Sequence, residues 1–175
     1  MPDYVVDACV VLNLSAADLL GSVCTELEGT VCVPPQVARE SLYLRGSAED
    51  STRTPIDLSS QLSTGVLVEH QLSSTEAVRF VDFAALVDDG EAACLAIAEE
   101  SSGVVLTDDR LAIRISREHK IDVRTTPEVI HEWSSVELER EDGLPERLRR
   151  IECLASYKPP GSHPLAEWWN KIVRA

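Results

Sequence analysis

The chain has 175 residues, 44% of them apolar, and carries a formal charge of −14. That length and apolar content exclude disorder and collagen-like repeats, and they fit one domain with a sizeable core. The acidity excludes tight nonspecific coating of nucleic acid, yet it admits a nuclease in which divalent metal and a local basic patch offset the charge.

Val5–Asp7 reads as a short buried strand and Leu14–Val23 as a helix. TVCVP follows as a strand that ends at Pro34 and Pro35, and Pro35 opens a helix predicted to run to about Arg45. GSAEDSTRTP is polar and turn-rich and reads as a loop; GVLVEH alternates like an edge strand. Ser73 and Glu76 have capping-box spacing, so SSTEAVRFVDFAALV is read as a helix, and DDGEAACLAIAEES as the next. Then come the strand GVVLTD, the helix DRLAIRISREH and a short strand around Val123. Thr126 and Pro127 signal the start of a further helix, PEVIHEW. Short strands alternating with helices predict an α/β fold with a parallel sheet covered on both faces.

The text changes character from Ser134 onward, so the expected organisation is one domain over 1–133 and a helical extension over 134–175. Two helices are expected there, near Leu144–Ser156 and Pro164–Arg174, with Trp168 and Trp169 docking on the domain or on a partner. The five cysteines are scattered and contain no CxxC pair, as befits core residues of a reduced protein. No apolar run is long enough to span a bilayer, and MPDYVVDACVVLNL lacks the basic start of a signal peptide, so a cytoplasmic location is expected.

Acids sit oddly at four places. Asp7 ends the first strand, and Asp108 and Asp109 end a later one. Ligands of open α/β sheets bind outside the carboxyl ends of the strands, so these carboxylates converge if the strands are neighbours. Glu40 shares a helical face with Val37 and Leu44, and Glu91 shares one with Cys94, Leu95 and Ala98. Each acid also has an ordinary reading. Asp88 and Glu91 have capping-box spacing, Asp108 or Asp109 could cap the next helix, and Asp7 could cap the turn that follows it. What favours a shared site is that hard cations such as Mg²⁺ and Mn²⁺ need several oxygen ligands together. Arg110, Arg114 and Arg117 recur at helical spacing after Asp109, as contacts for phosphate groups or as a solvated face.

These stretches resemble the PIN-domain nucleases: YVVDACVVLNL, VCVPPQVARESL, DDGEAACLAIAEE and VVLTDDRLAIRIS, in that order from about Asp3 to Trp133. The likeness is to the bacterial and archaeal, toxin-like branch whose third acid lies in a Gly-Glu pair. The resemblance implies a three-layer α/β/α fold and an acidic site for Mg²⁺ or Mn²⁺. It implies hydrolysis of phosphodiester bonds in RNA by an endoribonuclease, and a toxin paired with a small antitoxin protein, often as a homodimer. Carried over by motif, Asp7, Glu40, Glu91 and Asp109 would be the catalytic metal ligands, and Asp108 either a ligand or an outer acid. Thr107 resembles the hydroxyl that orients water or a carboxylate near the metal. Cys9 stands where the family often has Ser or Thr, and a thiol is a weak donor.

A haloacid-dehalogenase phosphatase would need a second aspartate where Cys9 stands and a later lysine, and a receiver domain lacks the same lysine. The remaining alternative is a catalytically inactive PIN-like module that binds a partner protein through its acidic pocket.

Overall fold

The computed structural model describes residues 3–39, 42–45, 53–136 and 143–175. Strands β1 (Tyr4–Val6), β2 (Val31–Val33), β5 (Val68–Glu69), β6 (Val104–Leu106) and β7 (Asp122–Arg124) form one sheet in the order β5-β2-β1-β6-β7. Every pairing in it is parallel. Its central strands read YVV, VCV and VVL because helices cover both faces, and a strand buried on both sides has no polar face to offer. Val5, Val6, Val33 and Leu106 are wholly buried. The result is the expected three-layer α/β/α arrangement, with further helices toward the C-terminus.

The helices are α1 (Ala8–Ala16), α2 (Leu20–Glu26), α3 (Pro35–Arg39), α4 (Ser59–Ser63), α5 (Ser74–Ala84), α6 (Asp89–Ser101), α7 (Arg110–His119) and α8 (Thr126–Ser135). On one side α6 packs against α3, α5, α7 and strands β1 and β6; on the other, α1, α2 and α8 pack together. The Ala-rich α6 is buried along almost its whole length, from Gly90 to Ala98. Small side chains let a helix lie this close to a sheet.

Four predicted elements differ. The helix expected at Leu14–Val23 is two helices, and α1 begins immediately after β1. Val10, Val11 and Leu14 are all buried, so this stretch has no polar face by which periodicity could have found it. Asp18, at φ 56°, turns the chain between α1 and α2. Of the helix expected from Pro35 to about Arg45, the described part is Pro35–Arg39, and Tyr43–Arg45 is strand β3, antiparallel to β4 (Arg53–Pro55). Leu44 therefore does not share a helical face with Val37, and that part of the argument for Glu40 falls. Part of the predicted loop GSAEDSTRTP is thus strand β4; Gly46 to Thr52 lie outside the described residues, as do Glu40 and Ser41. The start of α8 is capped at Thr125 rather than Thr126: Glu128 accepts hydrogen bonds from the Thr125 N–H and hydroxyl, each at 2.7 Å. The expected Ser73–Glu76 capping box is present at α5.

Toward the C-terminus, α9 (Leu144–Arg150) runs into a π-helical turn, Ile151–Ala155, and α10 (Ala166–Arg174) follows. Leu144, Leu148, Ile151 and Trp169 are buried in the same apolar cluster as Val10, Leu14 and Ile130. The Trp169 indole donates to Glu152 at 3.0 Å, and Trp168 meets the edge of His131. Among the described residues, no single helix is long and apolar enough to cross a membrane.

Candidate active site

The register of the sheet builds the site. Val6 is paired with Leu106, so the next residues, Asp7 and Thr107, leave the carboxyl edge side by side. The Asp7 N–H donates to Leu106 O at 3.0 Å and extends the ladder by one bond. Here the sheet order reverses, with β2 on one side of β1 and β6 on the other, which opens a crevice outside the strand ends.

Asp7 is buried and caps α1, and its Oδ1 accepts from Ala8 N–H at 2.7 Å. Its Oδ2 accepts from the Thr107 hydroxyl at 2.8 Å and from the Cys9 thiol at 3.1 Å. Cys9 thus makes to Asp7 the bond that a hydroxyl would make. Burial, followed by the neighbouring Asp7 and Asp108, raises its pKa well above the ordinary thiol value, so it stays a protonated donor. Burial raises Asp7 as well, against the lowering effect of these bonds.

The adjacent aspartates separate. Asp109 caps α7, with Oδ1 accepting from Leu111 N–H at 2.7 Å and Ala112 N–H at 2.9 Å. Its own N–H donates to Thr107 Oγ1 at 3.2 Å. Thr107, wholly buried, therefore ties Asp109 to Asp7. Asp108 turns the other way. Its Oδ1 accepts from Thr126 N–H at 2.9 Å and from the Tyr157 hydroxyl at 2.8 Å. Its Oδ2 accepts from Asn13 Nδ2 at 2.9 Å and from the Thr126 hydroxyl. The carboxylate is enclosed although the residue as a whole is half-exposed, and that burial raises its pKa in spite of the four donors. Both oxygens of Asp108, read from its motif as either a metal ligand or an outer acid, accept hydrogen bonds that hold α1, α8 and the C-terminal segment.

Glu91 lies in the first turn of α6. Asp88 accepts from its N–H at 2.9 Å, which is half of the expected capping box. Glu91 is half-buried. Burial raises its pKa to about 7, and the next causes are the charges of Asp109, Asp88 and Asp7. Asp109, Asp88 and Asp7 are thus near enough to act on the Glu91 carboxyl.

Arg110 opens α7 beside Asp109 and is exposed, with no ion pair among the described residues; Arg114 is exposed and lies 3.7 Å from Glu118. The histidines are engaged elsewhere: His70 with Glu76, His119 with Glu99 and His163 with Thr125. Two polar residues of the site escaped sequence reasoning. Asn13 had a signal, an amide in the apolar run ACVVLNLSAA; Tyr157 had none.

The model of a family described as PIN domain (DUF3368) matches residues 3–137. The chain belongs to the PIN-domain family. PIN domains are generally nucleases that use divalent metals, so the crevice lies on a nuclease fold. No curated protein matches the chain. The residues present fit such a metal in kind: the donors are all carboxylate oxygens, and the charges of Asp109, Asp88 and Asp7 add to burial in raising the Glu91 pKa to about 7. Among the described residues, no three His, Cys, Asp or Glu side chains close on a point tightly enough to hold an ion by themselves. Glu40, assigned to this PIN site from its motif, lies outside the described residues.

Proposed function

We propose that this PIN domain is a metal-dependent endoribonuclease. The observation that carries the reading is the Thr107 hydroxyl, which donates to Asp7 and accepts from the Asp109 amide, so that one buried group sets two acids at the crevice. Asp7, Glu91 and Asp109 would hold Mg²⁺ or Mn²⁺, with Glu40 as the fourth acid. The cation would supply a nucleophilic water near neutral pH and stabilise charge on the phosphoryl oxygens. Cys9 and Thr107 hold Asp7 in one orientation. Asp108 braces the turn that presents Asp109. Arg110, with Arg114 one helical turn on, would contact RNA phosphates beside the site.

A toxin acting with a small antitoxin protein, and a homodimer, are the finer forms of this reading; the charge of −14 suits a basic partner peptide. The test is cleavage of a mixed single-stranded RNA pool in Mg²⁺ or Mn²⁺ against EDTA, beside Asp7→Asn. Metal-dependent cutting that the variant loses is the expected result. A folded wild type that cuts nothing would refute the reading and favour an inactive module that binds a partner in its acidic pocket.

A further inference from the structure

The C-terminal segment reaches the active site through the Tyr157 hydroxyl. Tyr157 lies beyond the residues matched to the PIN family, yet its hydroxyl donates to Asp108 Oδ1 at 2.8 Å. Ser156, at φ 55°, turns the chain out of the Ile151–Ala155 π-helical turn and sends Tyr157 inward. That turn packs on α1, which begins after Asp7, and on β3, which follows Glu40. The Tyr157 ring meets the edge of Trp169, whose burial anchors α10. Burial and the Asp108 carboxylate raise the phenol's pKa, so it acts as a donor and not as a base.

The effect of that bond does not end at Asp108. The Asp108 N–H donates to Cys9 Sγ at 3.2 Å and the Asp109 N–H to Thr107 Oγ1 at 3.2 Å. Both acceptors themselves donate to Asp7 Oδ2. Any rotation of the Asp108 side chain and its peptide therefore disturbs both groups that orient Asp7, as well as the turn that carries Asp109. Partners that orient ligands from behind typically change metal affinity by about 10–100-fold.

We propose that Tyr157 is a positioning residue of the active site: its hydroxyl fixes Asp108 and, through the Asp108 and Asp109 amides, the angle at which Asp7 and Asp109 face a divalent cation. The metal half of this statement rests on the nuclease reading; the amide half does not.

The experiment uses the full chain as wild type, Tyr157→Phe and Arg149→Ala. Arg149→Ala removes a different bond of the same segment, the one from Arg149 Nε to the Val173 carbonyl at 3.0 Å, and leaves Tyr157 and Trp169 in place. Two quantities are read well below the unfolding temperature: Mn²⁺ affinity by titration calorimetry, and hydrogen exchange of the Asp108 and Asp109 amides in metal-free protein. Tyr157→Phe is expected to weaken Mn²⁺ binding about tenfold and to speed exchange at both amides, while Arg149→Ala lowers Tm and changes neither. Unchanged exchange at both amides in Tyr157→Phe overturns the proposal, as does equal acceleration in both variants. If the wild type binds no Mn²⁺, the nuclease reading fails, and the amide result alone decides whether Tyr157 positions the turn.

Discussion

Asp108 and Asp109 are adjacent in sequence and send their carboxylates in opposite directions. Asp108 accepts four hydrogen bonds from Thr126, Asn13 and Tyr157, whereas Asp109 caps α7 with Oδ1 and adds its charge to the crevice that holds Glu91. The two substitutions to Asn should therefore fail differently. Asp108→Asn sets an amide donor against groups that all donate, and should cost about 1–3 kcal/mol in a denaturant melt. Asp109→Asn keeps a competent helix cap and should lose little stability, while metal-dependent RNA cleavage falls about a hundredfold or more. Equal stability losses would contradict the division of labour.

Cys9 offers a test of what the site needs beside Asp7. It donates to Asp7 Oδ2 and accepts from the Asp108 N–H. Cys9→Ser keeps a donor and an acceptor and should retain cleavage. Cys9→Ala leaves the amide unpaired, for about 1–3 kcal/mol, or a fall in Tm of about 2–4 °C for each kcal/mol. Thermal melts of the two variants side by side check this.

The pH dependence of stability should carry the mark of Glu91. Its folded pKa of about 7 lies above the ordinary glutamate value, so the folded chain binds more protons in between. Stability from this group is fully present below the unfolded value and is lost as pH rises toward 7. Glu91→Gln should thus raise the Tm of metal-free protein at about pH 8, by a few degrees once the shift is discounted to about 1 kcal/mol for solvent reaching this half-buried group. The gain should shrink toward about pH 4, where the wild-type carboxyl is protonated as well. Added Mn²⁺ should reverse the order, stabilising the wild type more. A gain that does not vary with pH would count against the acidic cluster.

Arg110 and Arg114 separate a phosphate contact from a surface charge. Arg110 has no ion pair among the described residues, while Arg114 lies beside Glu118. Arg110→Ala should raise KM for single-stranded RNA with little change in kcat, and should reduce the salt dependence of binding by about 0.7 in slope. Arg114→Ala should do less. Binding titrations over a range of salt concentration measure both.

Most of the sheet could be read in the sequence, because strands buried on both faces are written as unbroken apolar triplets such as Val31–Val33 and Val104–Leu106. Caps could be read for the same local reason, as at Ser73 and Asp88. What could not be read is what depends on distant contacts. A helix written in almost wholly apolar and small residues, like α1, has no period to detect, and the strand Tyr43–Arg45 continues the helical spacing of Pro35–Arg39 until its pairing with Arg53–Pro55 is known. In the site, Asp7 and Asp109 were visible because each follows a strand. The separation of Asp108 from Asp109 was not, because it depends on Thr126 and Tyr157, which lie 18 and 49 residues further along.

The burial of Trp169 in one apolar cluster with residues of the first helix also bears on how the chain comes into being. Arg147 donates to the carbonyls of Ala17 and Asp18, and Tyr157 to Asp108, so these contacts join parts of the chain made at very different times. A nascent chain that has emerged as far as Gly143 presents Val10, Leu14 and Ile130 without the cover that Leu148, Ile151 and Trp169 supply. Translation therefore leaves an interval in which the sheet has been made while its apolar flank is open to chaperones or to aggregation, and the interval closes when α9 and α10 arrive.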